Sequence, residues 1–262
     1  SSWQALTGPS NNGANNAVRA LAVYNGQLIL GGSFNTVGGS LSAIGVARYE
    51  GSNYFPLSTG VNGFVRALSL YGGDLIAAGN FTTAGGNPAA NIARWNGTSW
   101  SALGGGVNGV VNALTSYGGH LIAAGSFTTA GGNPASFIAM WNGSSWSALG
   151  AGTNTAITAL AVHGPDLVAT GNFTSAGGNP ASFIAKWNGS AWSSVGTGLN
   201  GGGTALTSYA GQLLVSGVFS TAGGTPASSI ARYTNSTWLN LGTGLSSAAN
   251  VLYDFNGELI VG

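Results

Sequence analysis

Five phenylalanines set the strongest constraint on what this chain can fold into. Phe34, Phe81, Phe127, Phe173 and Phe219 recur at steps of 47, 46, 46 and 46 residues. Other columns keep the same step. An aromatic returns as Tyr54, Trp100, Trp146, Trp192 and Trp238, and a second lies five residues earlier each time, as Tyr49, Trp95, Trp141, Trp187 and Tyr233. Leu28, Leu75, Leu121, Leu167, Leu213 and Leu259 form a column of six. Agreement across independent columns means that one supersecondary unit is stacked repeatedly, each copy burying its faces against its neighbours.

One repeat resolves into four apolar runs separated by turn residues: Val111–Tyr117, His120–Phe127, Ala135–Trp141 and Ser145–Leu149. Each is too short for an ordinary helix. The first two meet at Gly118-Gly119 and the last two at Asn142-Gly143, repeated as Asn96-Gly97 and Asn188-Gly189. Asn-Gly suits a type I′ hairpin turn, in which both central residues need positive φ. Four antiparallel strands per repeat is the reading. Within Leu121-Ile122-Ala123-Ala124-Gly125 apolar or tiny side chains fall on both faces, so both faces of the sheet are covered. Small residues let sheets approach closely near an axis, and tryptophan fills the wider space further out.

These features predict an all-β chain, a β-propeller of six blades of four antiparallel strands, with a β-solenoid as the alternative. Repeats run at about 17–63, 64–109, 110–155, 156–201 and 202–247, and 248–262 joins 1–16 as the closing blade of a single domain, 1–262. The closing blade is incomplete. Ser2-Trp3-Gln4-Ala5-Leu6 matches the outer strand Ser145-Trp146-Ser147-Ala148-Leu149, while Val251–Gly262 matches only the first two strands of a repeat. An N-terminal strand that completes the last blade would close the ring. The opening Ser1-Ser2-Trp3 reads as the interior of a repeat and carries no signal peptide, which predicts a processed or excised piece of a longer chain.

Composition narrows the function. Charged residues are 4% of the chain and the net charge is +1, which leaves no electrostatic footprint for nucleic acid. No stretch reaches the ~18 apolar residues of a spanning helix, so membrane insertion is not expected. There is no cysteine, which removes disulfides, thiolate catalysis and thiolate metal sites.

At Gly125, Gly131-Gly132, Trp141 and Trp146 the repeat resembles the kelch motif, with an apolar strand ending in glycine, a glycine doublet and two aromatics. The order Gly-x-Phe, Ala-Gly-Gly, Ile-Ala-x-Trp-Asn-Gly, Trp-x-x-Leu-Gly resembles even more the repeats of bacterial secreted and cell-surface proteins and of the fungal cortical marker Rax2 family. The resemblance spans nearly the whole chain. It implies a propeller at or outside the cell surface and says little of a ligand.

Candidate chemistry is sparse. Gly104-x-Gly106-x-x-Gly109 and Gly196-x-Gly198-x-x-Gly201 fit the dinucleotide fingerprint, but a strand follows them where the fingerprint needs a helix, so they read as inter-blade turns. Asp74, Asp166 and Glu258 share a column with His120, Gln27 and Gln212, which reads as a polar turn position. His120 and His163 lie in different columns without a neighbouring ligand set, and no nucleophile elbow is present. Catalytic, cofactor and metal residues are therefore not expected. Asn80, Asn96, Asn142, Asn172, Asn188 and Asn235 each open an Asn-x-Ser/Thr sequon, three of them at Asn-Gly turns.

Arg48, Arg94, Lys186 and Arg232 share a third-strand column, with Met140 in the remaining repeat. Cations beside aromatic faces would suit glycans, which makes Arg94, Trp95, Trp141, Lys186 and Trp187 the candidate ligand-binding residues. The plainer reading lays the Arg and Lys stems along the blade edge and puts tryptophan in the core. The expected function is a non-catalytic extracellular or cell-surface module for structure, adhesion or protein interaction, with protein, glycan or self-association as its partner. The alternatives are a multivalent carbohydrate-binding propeller and the scaffold domain of a larger enzyme.

Overall fold

The computed structural model describes residues 13–262. Among them there are five four-stranded antiparallel sheets, each a simple meander in sequence order, and no helix. The first sheet is Val18–Tyr24, Gln27–Gly32, Val46–Glu50 and Asn53–Pro56, and the third is Val111–Tyr117, His120–Gly125, Ile138–Trp141 and Trp146–Ala148. A further hairpin, Leu252–Phe255 with Glu258–Val261, begins the next repeat. The architecture is that of a β-propeller, in which a four-stranded sheet is the blade. The predicted closing strand Ser2–Leu6 lies outside the described residues.

The chain forms two compact units. One runs to Leu114 and takes in Thr129–Gly132 and Gly143–Ser145; the other comprises Thr115–Thr128, Asn133–Asn142 and Trp146–Gly262. In the first, Ile29 and Val46 of one sheet pack with Val65, Leu75, Phe81, Trp95 and Trp100 of the next. In the second, Ile122, Ile138 and Leu149 pack with Ile157, Leu167, Phe173 and Trp192. Sheet lies on sheet, which is why the second strand is apolar on both faces: Leu121, Ile122, Ala123 and Ala124 are all fully buried.

The glycine that ends each second strand has a steric cause. The first pair of strands carries a register shift between Val65 and Ala67, and again between Val18 and Ala20, Ile157 and Ala159, and Gly203 and Ala205. At this bulge a Cβ on Gly79 would run into the carbonyl oxygen of Phe64. Between the second and third strands the repeat adds a two-residue-strand hairpin, Thr83–Ala84 with Asn87–Pro88, turned by Gly85-Gly86 at φ +59° and +82°. The sequence reading missed this hairpin, although a Gly-Gly doublet marks it in each of the five full repeats.

One predicted turn is corrected. Asn96-Gly97 and Asn188-Gly189 are not type I′ turns, because only the glycines have positive φ, +100° and +98°. The asparagine serves through its side chain: Asn188 Oδ1 accepts from Ser190 N, Ser190 Oγ and Ala191 N, each at 2.9 Å. The paired positive φ occurs instead in the first hairpin of the repeat, as at Asn25-Gly26 (+50°, +77°) and Gly118-Gly119 (+57°, +78°).

Candidate functional site

The two aromatics of each repeat face each other across the outer strand pair. Trp95 is directly opposite Trp100, and Trp187 opposite Trp192. Ring centroids are 5.3 Å and 5.6 Å apart, tilted by 49° and 51°, an arrangement that tryptophan quadrupoles favour. The outer indole also ties one repeat to the one before it. Trp100 Nε1 donates to Leu57 O at 2.9 Å, Trp192 Nε1 to Leu149 O at 2.8 Å, and Trp238 Nε1 to Val195 O at 3.0 Å. Trp95 and Trp141 are buried, 9% and 7% exposed, whereas Trp187 is only partly covered.

The cation column pairs with the polar column read as a turn position. Arg94 lies 3.5 Å from Asp74, and Lys186 Nζ lies 2.7 Å from Asp166 Oδ2. Where the acid is an amide the cation donates to it: Arg48 to Gln27 at 3.2 Å and Arg232 to Gln212 at 3.5 Å. Each of the four cations in this column is thus fastened to the first residue of the strand beside its own. In the remaining repeat the pair is Met140 and His120, and neither carries a fixed charge. The alternation of acid, amide and imidazole in one column was visible in the sequence, but its partnership with the cations came only from the register.

The candidate residues are therefore dispersed. Arg94 and Trp95 sit in the first unit with Asp74; Trp141, Lys186 and Trp187 sit in the second. Trp187 is the most open of the three tryptophans. It lines a cleft of about 580 Å³ in the second unit, together with Tyr117, His120, Met140, Val162 and Pro165. The Tyr117 hydroxyl donates to Pro165 O at 3.0 Å, joining two lining residues. His163, outside this lining, has Nδ1 3.0 Å from Ser208 Oγ.

A recurring asparagine, overlooked in the sequence, shapes the loop after the second strand. Asn62 Oδ1 accepts from Thr82 N and Thr83 N, and Asn154 and Asn200 do the same for Thr174–Ser175 and Ser220–Thr221. Its signal was the recurrence of Asn15, Asn62, Asn108, Asn154 and Asn200 at the repeat spacing. The glycine-rich segments that matched a dinucleotide fingerprint are turns: Gly104, Gly105 and Gly106 all have positive φ, and the strand Val111–Tyr117 follows. Among the described residues no three His, Asp or Glu side chains gather as a metal site. No helix of the described residues is long and apolar enough to cross a membrane.

The family model described as the Rax2 C-terminal beta propeller domain matches residues 2–164. Among solved structures, the chain is similar to the computationally designed Ika8 protein, with a TM-score of 0.61 and 15% identity over 95% of this chain and 69% of that one. It is also similar to the WD40 beta propeller domain of Doa1, with a TM-score of 0.54 and 14% identity over 95% and 90% of the two chains. U3-55K aligns with a TM-score of 0.57 at 12% identity, over 94% of this chain and 69% of that one. No curated protein matches.

Proposed function

Because this chain belongs to the family of the Rax2 C-terminal beta propeller domain, we propose that it works as a non-catalytic interaction module at or outside the cell surface, meeting its partner through sheet faces. One observation carries the reading: apolar side chains stand exposed on flat sheet in both units. In Val18–Tyr24, Leu21 is 58% and Val23 61% exposed; in the last hairpin Tyr253 is 59% and Phe255 56% exposed. In register with them, Leu206 (aligned with Leu21) is 8% and Tyr24 (aligned with Phe255) 7% exposed, while Leu70 and Val162, aligned with Val23, stay 47% and 38% exposed. Contiguous exposed apolar surface marks interaction faces. A surface built from hydroxyls, amides and glycine with 4% charge suits an extracellular setting and leaves such faces unshielded by like-charge repulsion.

The glycan reading draws less support. Stacking a sugar requires an open aromatic face, and Trp95 and Trp141 spend theirs on Trp100 and Trp146. The test is cross-linking mass spectrometry on cells bearing the protein, with sedimentation velocity on the purified chain. Cross-links to a partner or a second copy should map to Val18–Tyr24 or to Leu252–Val261, and the double variant Leu21→Glu, Val23→Glu or its counterpart Tyr253→Ser, Phe255→Ser should abolish them. Association that neither variant changes would overturn the reading, as would localisation inside the cell.

A further inference from the structure

Of the five third-strand positions in the cation column, only Met140 is not a cation, and it faces the cleft that Trp187 borders. Its partner column holds His120, whose Nδ1 is buried and finds no hydrogen-bond partner among the described residues. The two departures occur in the same repeat and at the same place. They remove an ion pair that Asp166 and Lys186 keep in the following repeat, and they leave a lining without Asp, Glu, Lys or Arg.

We propose that this cleft is a binding site for a single aromatic side chain presented by an uncharged peptide segment. The walls are Trp187, Tyr117, Pro165, Val162 and the thioether of Met140. Aromatic rings, proline and a flexible thioether are the surfaces on which peptide-binding grooves hold aromatic and apolar anchors, and sulfur–ring contact adds to the fit. The volume exceeds what one aromatic side chain fills, leaving room for its backbone. A charged anchor would lose solvation with no opposite charge to meet it. A sugar would need several hydrogen-bonding side chains, whereas the Tyr117 hydroxyl is already committed to Pro165 O and the remaining side-chain donors are Ser116, His120 and the Trp187 indole. The site is separate from the exposed sheet faces, so it can fail while they succeed, and the reverse.

The chain contains a single methionine, so a ¹³C-methyl methionine label reports Met140 alone. N-acetyl-phenylalaninamide and N-acetyl-tryptophanamide are the probes, with glucose, N-acetylglucosamine and N-acetyl-lysinamide as comparisons. The aromatic amides should shift the methyl signal saturably, and the comparisons should leave it in place. Val162→Lys puts a cation at the rim of the cleft, and Trp187→Tyr installs the residue that the first and fifth repeats carry at Tyr49 and Tyr233 and so keeps the fold. Each should weaken binding by about five- to tenfold, the loss expected when one aromatic or apolar contact is removed. The proposal is overturned if the aromatic amides leave the methyl signal unmoved, if the sugars shift it as far, or if both variants bind as the parent does.

Discussion

Trp192→Phe tests the claim that the outer indole fastens one repeat to its predecessor. Trp192 is 5% exposed, lies tilted on Trp187, and donates its only proton to Leu149 O at 2.8 Å. Phenylalanine keeps the ring-on-ring contact and most of the buried area, so the transfer loss is small against the ~4–6 kcal/mol that a whole indole contributes at ~25 cal/mol/Å². What it removes is the donor. Leu149 O still accepts from Gly152 N at 3.2 Å, so the carbonyl is not orphaned, and losing one of its two hydrogen bonds costs about 0.5–1.5 kcal/mol. The space left by the missing five-membered ring adds up to ~1 kcal/mol. The expected loss is about 1–2.5 kcal/mol, below the ~3–5 kcal/mol expected for Trp192→Ala. Urea unfolding followed by far-UV circular dichroism reads it, with coincident fluorescence transitions as the check for two-state behaviour. The exposed neighbour Ser193→Ala is the control and should stay within about 0.5 kcal/mol of the parent. A Trp192→Phe variant equally close to the parent would refute the inter-repeat hydrogen bond as a source of stability.

The remaining expectations use the same denaturation assay. Gly79→Ala should cost about 1–3 kcal/mol, because its Cβ meets the Phe64 carbonyl at the bulge. Asn188→Ala removes the acceptor of three turn hydrogen bonds and should cost about 1–2 kcal/mol. Ser229 holds φ +60° where the first repeat has Gly45 at +71°, so Ser229→Gly should stabilise by ~0.5–1 kcal/mol, seen as a higher urea midpoint. Burial, and then the negative charge of Tyr49, push the Tyr54 hydroxyl above the ordinary tyrosine value. Near and above pH ~10 the unfolded chain therefore gives up this proton first, so stability holds below that pH and falls above it; Tyr54→Phe should flatten the fall between about pH 9 and 11.

What could be read from the sequence is what recurs for a packing reason. The paired aromatics, the doubly apolar second strand and the glycine at its end announce four short strands per repeat, because only a sheet covered on both faces needs Leu121 to Ala124 to be apolar throughout. The turn chemistry was harder to read. Asn-Gly is compatible both with a turn of two positive φ and with a side-chain cap, and composition alone cannot separate them; at Asn96 the distinguishing feature is Thr98, whose backbone and hydroxyl both donate to Asn96 Oδ1. The candidate ligand residues are dispersed for a related reason. Cation and aromatic alternate along the third strand, so neighbours in sequence point to opposite faces. Arg94 and Trp95 therefore do not form one surface: Arg94 reaches Asp74 and Ser101, while Trp95 packs into the core.

The repeats also separate scaffold from surface without any relative to compare. A position that must hold a blade together is held to the same job in each copy, and the cation column shows how much latitude that job allows: Arg or Lys against Asp, Arg against Gln. Such exposed pairs contribute little to stability, ~0–1 kcal/mol each. The repeat that lacks one loses little with the pair itself, and its added cost is the buried His120 Nδ1 left without a partner, about 1–3 kcal/mol. Cheap positions are where a repeat protein can differentiate one copy for recognition while the outer tryptophans, worth several kcal/mol each, stay fixed. Specificity in this chain is accordingly to be sought where one blade departs from its siblings, and the cleft beside Trp187, with Met140 and an unpartnered His120 Nδ1, is such a place.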